Sequence, residues 1–283
     1  MNFNNITIGI VSFKSEKVIF NCLNSIKKIK KIIILDNSND FRLKKKIKKL
    51  YPFVDFILSS KNMGFGYGNN IILSKCKTDY LFLLSPDTVL GKNCEFELLK
   101  AIKKLKKKFS IIAPNANKKN LSSNKSKSDK KNILLTEVEY VKGFAMLLNN
   151  ISIKKIGKFD EKIFLYLEEI DLCKRLRDKS QKIFVCNNAQ IKHLGAKSSN
   201  IGAEYDRVRN WHWIWSKFYF NKKHHGYLIA IISGLPSFIS ALAKFCIYYF
   251  INKKKRDTYF YRMFGFISAL IGRNSFLRPN LDN

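Results

Sequence analysis

Apolar and polar positions alternate along the first third of the chain in a way that names its elements. Ile6 to Phe13 is a nearly unbroken apolar run, the pattern of a strand buried on both faces. Between Ser15 and Lys28, the apolar residues Val18, Ile19, Cys22, Leu23 and Ile26 recur at helical spacing. Lys31 to Leu35 predicts a second buried strand, and it stops at the polar turn Asp36, Asn37, Ser38, Asn39, Asp40. A basic helix follows over about 41–50, then a third strand from Phe53 to Leu58, a helix from Asn69 to Cys76, and a fourth strand from Tyr80 to Leu84 that ends in Ser85, Pro86 and Asp87. Strands alternating with helices predict an α/β, Rossmann-like, doubly wound and mostly parallel sheet.

Further on, Cys94 to Phe109 is amphipathic with a lysine-rich face, and 115–132 is low-complexity Asn, Lys and Ser that reads as a mobile loop. Order resumes over Glu139 to Leu148, and a last strand, Lys182 to Cys186, precedes His193. The expected organisation is a nucleotide-binding half at 1–114, the loop at 115–132, a catalytic and acceptor-binding half at 133–220, and a hydrophobic and basic helical extension at 221–283.

That extension admits three readings. Gly226 to Ile251 is almost wholly apolar and long enough to span a bilayer, but Pro236 and Lys244 interrupt it. Lys222 and Lys223 before it and Lys253 to Arg256 after it suit an interfacial helical pair on anionic headgroups, together with the amphipathic stretch Thr258 to Ile271. Helices packed on the catalytic domain are the third reading.

The formal net charge of +32 fits a nucleic acid, an anionic lipid or a phosphorylated ligand, and it also fits a lysine-rich codon bias with no functional meaning. Six cysteines form no C-x-x-C pair. Cys173 and Cys186 fall within apolar patterns and read as buried thiols, as expected in a reducing cytoplasm. The N-terminal residues lack the charged start and long apolar run of a signal peptide, so export is not expected.

Ligands of open α/β sheets sit beyond the carboxyl ends of the strands, where Asp36 and Asp87 both fall, although Asp is also a common turn former. The run from Asn62 to Asn70 carries Gly64, Gly66 and Gly68 and reads as a glycine-rich turn leading into a helix. Its spacing is neither the dinucleotide G-x-G-x-x-G nor a P-loop. Glu168, Glu169 and Asp171 crowd at a helix start, where the dipole favours acids, and Asp171 can pair with Arg175 at i,i+4. That explains Asp171 better than it explains Glu168 and Glu169, which directly follow the run Phe164, Leu165, Tyr166, Leu167. A partly desolvated carboxylate there has a raised proton affinity and suits a general base. His193 is a packed or surface residue, or else it joins Asp87 and diphosphate oxygens around a divalent cation.

Taken in order, these segments resemble family 2 glycosyltransferases of the GT-A fold, in particular their rhamnosyltransferase-like branch. The resemblance rests on residues 32–40, the Asn-x-Gly-Phe-Gly-x-Gly-Asn segment at 62–69, Leu-Leu-Ser-Pro-Asp-Thr at 83–88, Val-Lys-Gly-Phe-Ala-Met-Leu-Leu at 141–148, and 157–177. It implies that Ser12 and Asp36 lie against the base and ribose, and that Asn62 and Gly64 border the donor pocket. It implies that Asp87 is the metal carboxylate of the family's D-x-D motif, with His193 completing the site. Glu168 and Glu169 occupy the acidic pair whose second member is the catalytic base, and Asp171 and Arg175 orient it. Two positions depart from the pattern: Ser85 stands at the first acidic position of D-x-D, and Glu169 replaces the usual Asp.

The expected activity is therefore inverting transfer of a sugar, rhamnose among the candidates, from a nucleoside-diphosphate sugar. The acceptor is a glycan or a lipid-linked molecule of a cell-surface polysaccharide such as lipopolysaccharide or capsule. The expected cofactor is Mg or Mn. The protein is expected on the inner face of the cytoplasmic membrane, bound to its anionic surface, with no nucleic-acid partner. Two alternatives compete: a nucleotidyltransferase on a related sheet, and a basic nucleic-acid-binding protein that stacks bases on Trp211, His212, Trp213 and Trp215.

Overall fold

The computed structural model of the chain describes residues 2–116, 134–195 and 202–279. The loop read at 115–132 lies outside the described residues beyond Ala116, which closes a strand. Two compact units form: Met1–Phe159 with Glu169–Ser199, and Asp160–Glu168 with Asn200–Asn283. This division follows a different line from the sequence boundaries at 114, 132 and 220, because a short internal segment groups with the C-terminal helices.

In the first unit, strands β1 (Ile6–Ser12), β2 (Lys31–Asp36), β3 (Val54–Leu58) and β4 (Tyr80–Leu84) pair in parallel in the order β3-β2-β1-β4. Every residue of β1 and β4 is buried, as their unbroken apolar runs require. Helices α1 (Glu16–Ser25), α2 (Phe41–Leu50), α3 (Phe65–Lys75) and α4 (Cys94–Leu105) connect and cover them. The α2 N-terminus is set by Asp40, whose carboxylate accepts the Leu43 N–H at 2.9 Å. Buried Glu95 accepts the backbone N–H groups of Lys27, Lys28 and Ile29, which fixes the approach to β2.

Beyond β4 the sheet is mixed rather than mostly parallel. Strand β5 is Thr88–Leu90, β6 Ile111–Ala116, β7 Leu135–Glu137, β8 Ala145–Asn149 and β9 Ile183–His193. Strand β8 runs antiparallel to both β4 and β6, and β9 is parallel to β6 but antiparallel to β5 and β7. The last strand is longer than its apolar stretch predicts. It bulges against β6 at Pro114 and Asn115 and continues through polar residues to His193, which is part of the strand and faces Thr88 in register.

Helix α3 also begins earlier than its apolar pattern suggests, at Phe65. Only Gly64, at φ 87°, needs a left-handed backbone, and it caps the helix. Gly68 serves packing, since a Cβ there would lie 2.9 Å from Val11 Cγ1 on β1. Helices α5 (Asn150–Ile156) and α6 (Glu168–Asp178) complete the covering layer. Cys173 and Cys186 are buried free thiols, as their patterns predict.

The second unit consists mainly of α7 (Gly202–His225), α8 (Tyr227–Tyr248) and α9 (Lys253–Leu270). Trp211, Trp215, Phe218, Ala230, Phe266 and Ala269 form its core. Small residues let the helices cross closely: a Cβ on Gly265 would lie 2.5 Å from the Trp211 carbonyl oxygen, and one on Gly234 would run into the Phe266 ring. His212 is fully buried, its Nε2 meets the Leu277 carbonyl at 2.7 Å, and burial pushes its pKa down to about 3. Three of the four aromatic residues that suggested base stacking are thus core, and only Trp213 is exposed.

Helix α8 is long and apolar enough to cross a membrane. Its outer face leaves Leu228 73% and Ile232 71% exposed, whereas a helix buried in a soluble core would cover them.

Candidate active site

The first corner of the site is the end of β1 and β2. Ser12 Oγ donates to Asp36 Oδ1 at 2.6 Å, and the Asp36 carboxylate also accepts the Ser38 hydroxyl at 2.8 Å and the Asp40 N–H at 2.9 Å. Burial raises the Asp36 pKa, and these donors partly offset it. Ser12 and Asp36 are both fully buried, so the pair shapes the turn after β2. Asn37, carried by that turn, reaches the glycine-rich segment, its amide donating to the Gly64 carbonyl at 3.2 Å. Asn62 Oδ1 accepts the Gly64 N–H at 3.0 Å, which sets the backbone entering α3.

The second corner follows β4. Asp87 is 1% exposed. Its Oδ1 accepts Ser85 Oγ at 2.6 Å and lies 3.3 Å from His193 Nε2. Burial pushes the Asp87 carboxyl up, but the bonds to His193 and Ser85 together outweigh it and hold the group below the usual carboxylate range. Its other oxygen, Oδ2, is buried with no hydrogen-bond partner among the described residues. A carboxylate oxygen left bare beside an imidazole nitrogen matches the donor set of a divalent cation. Among the described residues no group of three or more His, Cys, Asp or Glu side chains could hold a metal, so a cation at Asp87 and His193 needs further oxygens from its substrate. Ser85, which stands where the resemblance implies a first carboxylate, donates to Asp87 and orients it.

The third corner is the start of α6. Glu168 is buried and Glu169 partly buried. Desolvation raises the Glu169 pKa, against the N–H groups of Glu169, Gly143 and Ile170 and the charge of Lys142. Asp171 is fully buried and accepts Arg175 Nε at 2.8 Å. The same guanidinium donates to the carbonyls of Gly157 at 3.2 Å and Lys158 at 2.6 Å. Asp171 and Arg175 therefore lock α6 onto the preceding loop and set the position of its first turn.

One segment ties these corners together; its motif is visible in the sequence, but its role emerges only from the structure. Gly143 sits between the glycine-rich helix and the acidic pair: a Cβ there would lie 3.4 Å from Phe65 and 3.6 Å from Glu169 Cδ. The next residue, Phe144, accepts the Ser85 N–H at 2.8 Å and the Thr88 hydroxyl at 3.2 Å through its carbonyl. Its ring stacks on His193. Lys142, Gly143 and Phe144 thus touch the surroundings of Glu169, of Gly64 and of Asp87 within three consecutive residues. Carboxylates distant in sequence are organised around one strand entrance, that of β8.

A sequence profile for Glycosyl transferase family 2 matches residues 7–164, more than half of the chain. The chain belongs to glycosyl transferase family 2. It is 25% identical over 208 residues to the low-salt glycan biosynthesis hexosyltransferase Agl10 of Haloferax volcanii, covering 66% of this chain and 66% of that one. It is 28% identical over 175 residues to the rhamnosyltransferase WbbL of Escherichia coli K12, covering 52% of this chain and 66% of that one. The chain thus spans just under two thirds of the length of these two curated relatives. The mannosyltransferase PcManGT from Pyrobaculum calidifontis, solved with GDP-Man and Mn2+, is similar with a TM-score of 0.55 at 9% identity, over 94% of this chain and 87% of that one. At that identity the likeness is one of fold. As a family 2 member with the GT-A fold, the chain has the architecture that its motifs imply.

Proposed function

We propose that the chain is an inverting glycosyltransferase that moves a sugar from a nucleoside-diphosphate donor to a hydroxyl of a glycan or lipid-linked acceptor. The observation that carries this reading is the bare, buried Asp87 Oδ2 beside His193, connected through Phe144 and Gly143 to a carboxylate of raised proton affinity, Glu169. Asp87 and His193 would hold a divalent cation, which when bound neutralises charge growing on a diphosphate leaving group. PcManGT binding Mn2+ beside GDP-Man supports that assignment.

Glu169 takes the proton of the acceptor hydroxyl as its oxygen attacks the anomeric carbon, and attack opposite the leaving group inverts configuration. The charge of Lys142 opposes the desolvation of Glu169 and favours its ionised form. Asn62 and Gly64 border the donor, while Ser12 and Asp36 act through the turn they hold. The hexosyl and rhamnosyl relatives support a hexose or deoxyhexose as the transferred sugar. The exposed apolar face of α8 and the lysines that flank it support attachment to an anionic membrane, with the acceptor presented there.

A panel of nucleotide sugars, each with Mn2+, Mg2+ or chelator, tests the reading by release of nucleoside diphosphate. One donor should turn over in a cation-dependent way. Release of pyrophosphate from a nucleoside triphosphate would instead assign a nucleotidyltransferase.

A further inference from the structure

The C-terminal unit contains a cavity of about 430 Å³ lined by Tyr166, Asp206, Arg209, Asn210, Trp213 and Arg262. Its chemistry is unusually specific. Arg209 Nε donates to the Tyr166 hydroxyl at 2.6 Å, and Arg262 Nε donates to Asn210 Oδ1 at 2.8 Å. Both guanidiniums are therefore anchored through Nε by neutral partners. Neither forms an ion pair with a carboxylate among the described residues, in contrast to nearby Arg207 and Arg256, which share Asp257. Asp206 acts on Arg209 only through space. Asp206 is the one carboxylate of the lining and itself faces Lys254 at 3.8 Å, so two guanidinium forks against one carboxylate leave N–H donors that suit the oxygens of a phosphate.

The remaining lining fits a sugar rather than a bare anion. Trp213 is 47% exposed and meets Tyr166 edge-on at 5.4 Å, presenting an aromatic surface at the cavity. Asn210 and Asp206 add short polar groups able to meet hydroxyls.

We infer that this cavity binds a glycosyl phosphate, with Arg209 and Arg262 on the phosphate and Trp213 against the sugar ring.

The test is calorimetric titration of the full chain, in detergent, with glucose 1-phosphate, methyl glucoside and inorganic phosphate, beside cosedimentation with phosphatidylglycerol vesicles. Glucose 1-phosphate should bind best. Arg209→Gln and Arg262→Gln should each weaken it about tenfold or more, the scale of losing a charged hydrogen-bond pair. Arg209→Lys, which keeps the charge but not the fork, should also weaken it, and an unchanged melting temperature in each variant guards against a fold defect. Trp213→Ala should weaken glucose 1-phosphate but not inorganic phosphate. Asp87→Asn should leave the affinity unchanged, which separates the cavity from the donor corner.

Equal binding of methyl glucoside, unchanged affinity in both Arg→Gln variants, or dependence on Asp87 would overturn the inference. So would arginine-dependent binding of vesicles without binding of glucose 1-phosphate, which would assign a lipid headgroup. Nucleotide-sugar binding measured on the same samples judges the glycosyltransferase reading separately.

Discussion

Phe144 and His193 stack with ring centroids 4.3 Å apart and planes 16° from parallel. The stack fixes the imidazole from one side while Asp87 meets its Nε2, so the ring is held although it ends an edge-paired strand. Removing the aromatic face should free it. Phe144→Ala is expected to raise the cation concentration needed for half-maximal activity by about ten- to a hundredfold, as other supporting partners of metal ligands do. Activity titrated against Mn2+ checks this, and an unchanged midpoint would remove Phe144 from the site.

Glu169→Gln should abolish most turnover, by about a hundred- to ten-thousand-fold, and leave nucleotide affinity intact. Glu168→Gln should cost less. Turnover and nucleotide titration on both variants decide which carboxylate is the base, and the reverse order would move the role to Glu168.

The raised proton affinity of Glu169 has two consequences of opposite sign. Only the ionised carboxylate accepts a proton, so the acidic limb of the rate profile should lie above the usual carboxylate range. Lys142→Gln should shift that limb to still higher pH. For stability, a carboxyl that binds its proton more tightly when folded favours the folded state at low pH and disfavours it as pH rises through the raised value. Glu169→Gln should therefore melt above the parent at neutral pH, and the gap should close on acidification. Melting curves across pH test this, and a variant that melts lower at neutral pH would contradict it.

How much of this is legible in the sequence differs between the two sheet halves. The parallel half is readable, because strands covered on both faces write their boundaries as continuous apolar runs, and β1 through β4 fall where Ile6, Lys31, Phe53 and Tyr80 announce them. The mixed half is not. Strand β9 passes through Asn187, Asn188, Gln190 and Lys192, residues that alternate with buried Ala189 and Ile191 only after a bulge changes the phase. Asp87 and Glu169 stand out as candidates from their neighbours, but the link through Lys142, Gly143 and Phe144 arises from tertiary packing that no local pattern encodes. The glycine-rich segment misleads for a related reason: Gly66 and Gly68 are conformationally ordinary helix residues, and Gly68 exists for the closeness of Val11.

Membrane attachment predicts that the chain sediments with vesicles containing anionic lipid, and that high salt releases a large part of it by screening the basic flanks of α8. Ile232→Lys, on the exposed face, should reduce binding without lowering the melting temperature. Equal partition with neutral and anionic vesicles would argue against an electrostatic contribution.

Packing in the C-terminal helices gives a last expectation. Gly265→Val forces a side chain into the Trp211 carbonyl and should destabilise that unit by about 1–3 kcal/mol. Thermal unfolding followed by tryptophan fluorescence reports it directly, since Trp211 lies at the crossing. A neutral effect would mean the helices separate easily.

The segment from Asp160 to Glu168 has a practical bearing on how this chain can be cut. Its groups are held by α7 and by the tail after α9: Tyr219 and Lys223 on Asp160, Ser216 on the Leu165 carbonyl and Arg209 on Tyr166 from α7, and Arg278 over the Phe164 ring from the tail. Tyr166 and Leu167, both at φ 69°, need such restraint to stay in a left-handed backbone. Shortening the protein before residue 202 to gain solubility would strip every one of those restraints from the stretch leading into Glu169. The helices are thus a splint for the segment that leads into α6, and a chain trimmed of them should lose that segment's set backbone.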